Sequence, residues 1–390
     1  MAESLGLILL FGIISGFLCE KLKLPKLLGY LIVGIVIGPY SLGLINENML
    51  LISADIRRLA LIVILLRAGM GIQKEQLLEV GKPAFLLSFV PGVCEAITIM
   101  LLSTQFLGFS WIQGGILGFV IAAVSPAVVV PSMIGLMEKG KGSAKNIPLC
   151  ILAGASIDDI VAITLFGSFL SMYGGEVNIF AQLLNIPISI GLGLLLGIII
   201  GVIIVGIFKM FKLPIIQSTL LLLGSSIIVD SFGSHMEEFI EIATLLSIMT
   251  IAFILATKLQ KETLVIKETL GSIWTGAEIF LFVLVGAEVN LEVAMQAGLV
   301  GIVMISIGLV ARSFGVYLSL LPTNFTFQEK IFCMVSYAPK ATVQAAIGGI
   351  PLASGVAGGE TILAIAVLSI VLTAPLGAVG IKYFGNKYLE

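Results

Sequence analysis

The sequence predicts an all-α protein that crosses a lipid bilayer about thirteen times. Of its 390 residues, 58% are hydrophobic and 11% are charged, and the mean hydropathy is +1.17. Soluble domains carry about 25% charged residues. Apolar runs long enough to cross a hydrocarbon core of about 30 Å recur along the chain. Residues 1–390 are therefore expected to form a single transmembrane unit.

The predicted helices are separated by short polar stretches. They cover residues 4–19, 26–40, 54–70, 82–106, 111–136, 147–173, 179–208, 213–230, 238–257, 266–287, 293–321, 327–350 and 358–384. Lysines gather in the loops after the odd-numbered helices and at the C-terminus, whereas the opposite loops carry Arg57, Arg58 and mainly acidic residues. The positive-inside rule then places the N-terminus outside the cell membrane and the C-terminus in the cytoplasm, which requires an odd number of helices.

Composition also disfavours several classes of protein. A net charge of −2 gives no indication of nucleic-acid binding. The four cysteines lack metal or redox spacing, and the single histidine, His235, is expected in a loop. We expect neither a cofactor nor an enzymatic activity.

Two predicted helices contain prolines at their centres: Pro126 and Pro131 in helix 5, and Pro339 in helix 12. Each proline deletes a backbone hydrogen bond and frees the carbonyl four residues earlier, which for helix 5 means Ala122 and Ala127. Free backbone at membrane depth survives only where it is buried in protein or lines a wet cavity. Both helices are therefore expected to be interrupted.

The spacing of these features suggests an internal repeat. Pro126 and Pro339 lie about 213 residues apart, and Glu95 and Arg312 lie about 217 apart. Both offsets fit two six-helix repeats, helices 1–6 and 8–13, inverted because helix 7 links them. Interrupted helices that cross near the bilayer midplane are typical of secondary transporters.

Adjacent aspartates, Asp158 and Asp159, lie at the centre of the apolar run 147–173. An aspartate at the bilayer centre costs about 2.5–3.5 kcal/mol, so the pair indicates a function. Such a carboxylate can hold a proton or a hard cation such as Na⁺ or Li⁺, but not both. Ser125, Thr342 and freed helix-5 carbonyls could complete the coordination shell. Competition of the two ions for one site with alternating access is antiport.

Other polar side chains inside the predicted helices are expected to compensate charge. They are Glu95, Arg312, Lys340 and Gln344. The charged members of this set can offset the partial charges at the ends of half-helices, and Glu95 with Arg312 is expected to form a buried ion pair. Arg67 lies near a helix end, where it can extend toward water. The role of Glu278 is left open.

At these residues the chain resembles the cation:proton antiporter superfamily, most closely its NHA-type sodium/proton exchanger branch. The matching motifs are Leu66-Arg67-Ala68-Gly69, the stretch from Val124 to Ser132, Gly154-Ala155-Ser156-Ile157-Asp158-Asp159 and the stretch from Pro339 to Gly348. The resemblance implies that Asp159 is the principal ion and proton carrier, with Asp158 as its partner. It also implies a Glu95–Arg312 salt bridge.

The resemblance further implies a homodimer with a moving core. The expected parts are a dimerisation subdomain of about 1–70 and 213–287, an ion-binding core of about 82–173 and 293–384 that moves as an elevator, and a linker helix of about 179–208.

This chain departs from many relatives at two positions. It has Val124-Ser125 where they carry Thr-Asp, and Arg312 where electrogenic relatives have lysine. Whether transport moves net charge therefore stays open at this point.

Three alternative functions share features with this sequence. Potassium/proton exchange, or a potassium efflux system of the same fold, is the main one. A bile-acid-type sodium symporter shares the architecture but lacks the proton role. An intramembrane aspartyl protease is disfavoured, because adjacent residues of one helix point about 100° apart and cannot face each other across one water.

Overall fold

The computed structural model describes residues 1–22, 24–71, 74–173, 179–211, 213–236 and 242–390. Within these ranges all regular elements are helices, which confirms the all-α prediction. They are α1 (Ala2–Lys21), α2 (Lys26–Ile37), α3 (Glu47–Leu51), α4 (Ser53–Gly71), α5 (Lys74–Leu87), α6 (Val90–Phe106), α7 (Trp111–Ala122), α8 (Pro126–Glu138), α9 (Ile147–Ser171), α10 (Ile179–Phe211), α11 (Ile215–Met236), α12 (Thr244–Lys258), α13 (Gln260–Ala287), α14 (Leu291–Ser319), α15 (Phe327–Ser336), α16 (Thr342–Ile347), α17 (Ile350–Ala353) and α18 (Gly359–Tyr388).

Membrane-spanning helices account for most of this structure. In the part of the chain that the structure describes, eight helices are long and apolar enough to cross a bilayer, and several shorter apolar helices accompany them. The protein is therefore a multi-pass membrane protein. The number thirteen stays a prediction.

The chain divides into two compact units. The first contains Met1–Ile56, Glu79–Tyr173 and Ile279–Glu390, and the second contains Arg57–Leu78 and Gly174–Glu278. Each unit has its own buried residues.

In the first unit, α6 packs against both α7 and α14. Glycines permit this close approach. A Cβ at Gly118 would lie 2.5 Å from the carbonyl oxygen of Ala96, and one at Gly315 would lie 2.7 Å from the Cα of Pro91. Small residues at such contacts let helix backbones approach in a membrane, where packing rather than water exclusion holds helices together.

In the second unit, α10 packs along α12, and Ser247 Oγ donates to the carbonyl oxygen of Gly193 at 2.8 Å. Arg58 on α4 forms an ion pair with Asp230 on α11, with 2.5 Å between Nε and Oδ2. The Thr244 hydroxyl donates to the other carboxylate oxygen of Asp230 at 3.3 Å. These polar contacts join α4, α11 and α12.

The structure corrects three details of the sequence prediction. Helix 4, expected over 82–106, is not continuous: α5 ends at Leu87, and α6 starts anew at Val90 with Pro91 in its first turn. Pro131 does not interrupt helix 5, since α8 runs through it. The φ of proline suits a helix, and at this position the proline removes one backbone hydrogen bond without ending α8. His235 lies in the last turn of α11 and not in a loop.

Candidate functional site

Two helix breaks meet inside the first unit. Between α7 and α8 the backbone is extended, with ψ of 142° at Ala123 and 109° at Ser125, and α8 begins at Pro126. Between α15 and α16 the chain passes through Pro339, whose carbonyl oxygen accepts a hydrogen bond from the Ser125 amide at 2.8 Å. The interrupted helices predicted from the prolines therefore contact each other at their breaks.

Gln344 on α16 satisfies the backbone that the first break exposes. Its Nε2 donates to the carbonyl oxygens of Ile121 at 3.2 Å and Ala123 at 2.8 Å. Its Oε1 accepts from the Ala341 amide at 2.9 Å. Since an unpaired buried backbone group costs about 1–3 kcal/mol, one fully buried amide side chain stabilises both breaks.

Arg312 on α14 joins the same two breaks through charge. Its Nε donates to the carbonyl oxygen of Tyr337 at 2.6 Å, and its Nη1 donates to the carbonyl oxygen of Ala122. Nη1 also donates to Glu95 Oε2 at 2.8 Å, and Nη2 donates to Asp158 Oδ2 at 2.7 Å. The two carbonyls end α7 and α15, so the guanidinium lies where the partial negative charges of two half-helices collect.

Lys340, in the second break, shares Glu95 with Arg312. Its Nζ lies 2.5 Å from Glu95 Oε2, and its backbone amide donates to the Thr373 hydroxyl at 2.8 Å. Glu95, Arg312 and Lys340 are all at most 1% exposed. The second carboxylate oxygen of Glu95 has no hydrogen-bond partner among the described residues. Buried charges in this number are tolerable only when paired in this way.

The two aspartates on α9 have different surroundings. Asp158 Oδ2 accepts from the Val124 amide at 2.8 Å as well as from Arg312, so it is fixed by one charge and one backbone donor. Asp159 is 5% exposed, and its Oδ1 is buried without a partner in the described part of the chain. Within that part it forms no ion pair. The 100° between successive helix residues separates the two side chains in this way.

The charges of this cluster do not cancel. Three carboxylates (Glu95, Asp158 and Asp159) face two cations (Arg312 and Lys340), which leaves one net negative charge when all five are ionised. A single proton or a single monovalent cation neutralises it. A buried unpaired charge is costly, so the cluster favours binding of one such ion.

The remaining predicted site residues lie at the same breaks. Ser125 is fully buried, and its hydroxyl has no partner among the described residues. Thr342 is buried at the first position of α16. Both residues thus belong to the two helix breaks that contact each other.

Two further side chains contact the cluster without having been predicted as site residues, Tyr337 and Thr373. The Tyr337 ring lies 5.5 Å from the Arg312 guanidinium, a cation–π distance. Thr373 lies in the apolar helix α18, where the sequence offers no signal for it. Tyr337 is two residues before Pro339, and that position beside a predicted break was the only indication available.

Comparison with known proteins decides the family. A family model described as sodium/hydrogen exchanger, transmembrane, matches residues 6–387. The chain belongs to this family. The prediction made from its motifs is therefore confirmed at the level of the superfamily.

Individual members of the family align with nearly the whole chain. Sodium/hydrogen exchanger 9B2 of Pongo abelii is 34% identical, over 99% of this chain and 75% of the relative. Human sodium/hydrogen exchanger 9B1 is 32% identical, over 98% of this chain and 78% of the relative. Among solved structures, the sodium proton antiporter MjNhaP1 from Methanocaldococcus jannaschii at pH 8 superposes with a TM-score of 0.84. That match has 20% identity and covers 98% of this chain and 97% of the other, so it establishes a shared fold.

Proposed function

We propose that this chain is a secondary active antiporter that exchanges Na⁺ or Li⁺ for H⁺ across the cell membrane. Membership of the sodium/hydrogen exchanger family supports this, as do the names of the relatives. The observation that carries the proposal is the single uncompensated negative charge of the buried cluster, together with the free carboxylate oxygen of Asp159.

In the proposed mechanism Asp159 is the ion carrier. Sodium or a proton binds this carboxylate, and each excludes the other because either one neutralises the cluster. Asp158 keeps Arg312 in place, and its two donors make it a poor second acceptor for the ion. The unpartnered Ser125 hydroxyl and Thr342 are proposed to supply oxygen ligands, which suit hard alkali cations.

Charge compensation is the proposed role of the remaining residues. Glu95, Arg312 and Lys340 hold the half-helix ends together, and Gln344 satisfies their backbone. Pro126 and Pro339 maintain the interruptions. A rigid crossing of this kind lets the site keep its ligands while access alternates between the two sides.

Assembly and orientation follow from the resemblance and from charge placement. We propose a homodimer, in which about 82–173 and 293–384 move as an elevator against about 1–70 and 213–287, with 179–208 as linker. The N-terminus is proposed to face outward and the C-terminus the cytoplasm. Labelling of single cysteines at each terminus with a membrane-impermeant maleimide tests the orientation.

Transport by reconstituted protein tests the function. The purified chain is placed in proteoliposomes with a trapped pH dye, and Na⁺, Li⁺ or K⁺ is added outside. We expect Na⁺ and Li⁺ to move protons in the wild type and Asp159→Asn to abolish this movement, since the remaining carboxylates of the cluster, Asp158 and Glu95, are held in ion pairs. Asp55→Asn, an exposed aspartate on α4, is the matched control and should transport normally.

The outcome with potassium separates the alternative. Proton movement driven by K⁺ and not by Na⁺ would replace the proposed substrate with the alternative one. Sodium-driven transport that survives in Asp159→Asn would contradict the assignment of the carrier.

A further inference from the structure

A second group of polar side chains lies in the other unit, on α4 and α13. It consists of Arg67, Lys267 and Thr263, which we term the basic cluster, with Glu278 on the same face of α13 as Lys267. The proposed exchange mechanism uses none of these residues.

Each cationic side chain of the basic cluster extends to the opposite helix: Arg67 of α4 toward α13, and Lys267 of α13 toward α4. Arg67 Nη2 lies 4.0 Å from the position that a Cβ would take at Gly271, and Lys267 Nζ lies 3.5 Å from that position at Gly71. Arg67 and Gly71 are one turn apart on α4, as are Lys267 and Gly271 on α13. Each glycine, having no side chain, therefore leaves space for the charged end of the Lys or Arg side chain from the opposite helix.

This arrangement brings like charges together. Lys267 and Arg67 lie at one crossing of α4 and α13, where their positive charges repel each other, and both residues are partly buried. Glu278 interacts with Arg67 and supplies one negative charge. The three groups together carry a net charge of +1, and the repulsion between the two cations is relieved if an anion binds between them.

Unused hydrogen-bond donors accompany these charges. Arg67 Nε is buried with no acceptor in the described part of the chain. The Thr263 hydroxyl is likewise buried without a partner there, on a residue that is 4% exposed and one turn before Lys267. Buried polar groups are nearly always paired, so these two unpaired donors, on the two helices that carry Arg67 and Lys267, indicate a ligand that accepts hydrogen bonds.

The basic cluster lies near helix ends, at a depth in the membrane that a lipid headgroup can reach. Arg67 is four residues from the end of α4, and Lys267 is seven residues from the start of α13, or roughly 6 Å and 10 Å along the helix axes. These helix ends belong to the lysine-rich side of the sequence, which the positive-inside rule assigns to the cytoplasm. Anionic lipids are concentrated in that leaflet.

We propose that the basic cluster binds a phosphate group, carried by an anionic lipid or free in solution. Lys267 Nζ supplies the charge, and Arg67 Nε with the Thr263 hydroxyl donates to two phosphate oxygens. An ionised acceptor makes such hydrogen bonds about twice as strong as neutral ones. Binding to the folded state raises the midpoint of thermal unfolding, and the stabilisation grows with the logarithm of 1 + [ligand]/Kd.

Thermal unfolding of the full-length chain in detergent tests this. The melting temperature is measured against added phosphatidylglycerol, phosphatidylcholine, or sodium phosphate at fixed ionic strength. The wild type is expected to be stabilised by phosphatidylglycerol well below the concentration at which phosphatidylcholine acts. Lys267→Gln should raise the phosphatidylglycerol concentration needed for a given shift about fivefold, the effect of about one cation near a membrane surface.

Two further variants make the result specific. Thr263→Val removes one donor with no change in size or charge, and it too should weaken the response. Lys261→Gln, at an exposed lysine on the same helix, is the matched control and should respond like the wild type.

Comparing phosphatidylglycerol with sodium phosphate shows whether the bound phosphate group belongs to a lipid or to the free anion. Stabilisation by phosphatidylglycerol alone identifies the lipid, and equal stabilisation by inorganic phosphate identifies the free anion; both support the site. Wild-type responses in both Lys267→Gln and Thr263→Val would overturn the proposal, and so would equal stabilisation by phosphatidylcholine.

Discussion

Removal of the Arg312 guanidinium takes away the donor to two carboxylates and two backbone carbonyls at once. Arg312→Met leaves Asp158 and Glu95 with weaker compensation and unpairs the carbonyls of Ala122 and Tyr337. Breaking a buried ion pair from one side costs about 3–5 kcal/mol. At about 2 °C per kcal/mol for a chain of this size, the apparent melting temperature should fall by roughly 6–10 °C.

A double variant shows whether this loss comes from charge. Glu95→Gln alone leaves Lys340 without its carboxylate, whereas the double variant with Arg312→Met restores the net charge of −1. The double loss should therefore be smaller than the sum of the single losses by about 0.5–3 kcal/mol, as coupled neighbours show. Additive losses would refute the reasoning.

The assay is thermal unfolding in one detergent and at one heating rate, since membrane proteins rarely unfold reversibly. Lys145→Met is the control, because it removes the exposed ion pair of Lys145 with Glu329, in which Nζ and Oε2 lie 2.7 Å apart. Exposed pairs contribute about 0–1 kcal/mol. The control should therefore shift the melting temperature by less than about 2 °C.

Three further predictions concern the breaks, the helix packing and the stoichiometry. Gln344→Leu unpairs the carbonyls of Ile121 and Ala123 and should cost about 2–4 kcal/mol in thermal unfolding; an unchanged melting temperature would show that water replaces the amide. Gly315→Ala places a Cβ 2.7 Å from the Cα of Pro91, so it should lower the melting temperature by several degrees, whereas Gly276→Ala, which meets open space, should not. Because the site carries one net negative charge and holds one monovalent ion at a time, exchange should be electroneutral; a rate that follows an imposed membrane potential in proteoliposomes would contradict this.

Local chemistry made the interrupted helices predictable. Proline lacks an amide hydrogen wherever it occurs, so Pro126 and Pro339 indicate breaks without any knowledge of packing. Pro131 shows the limit of this rule, because α8 continues through it. A proline removes one hydrogen bond, and the surrounding packing decides whether the helix ends.

The pairing of the buried charges was less accessible. The sequence predicted that Arg312 and Glu95 need partners, and the structure brings them within 2.8 Å. No sequence pattern indicated that Arg312 also binds Asp158, which is 154 residues away. The same is true of Lys340, which shares Glu95 although 245 residues separate the two. Such contacts depend on how each helix is rotated about its axis, which hydrophobic periodicity does not define when a helix is apolar all round.

The sequence by itself determined that this is an all-helical membrane protein with two adjacent buried aspartates and two broken helices, because hydropathy, charge and proline act locally. Only the tertiary structure decided that Asp158 is occupied by Arg312 while Asp159 keeps an unpaired oxygen. The same holds for the donors of Arg67 and Thr263, whose lack of an acceptor no sequence pattern records. The physical reason is that a buried charge is defined by its partners, and those come from distant helices that only the folded chain brings together.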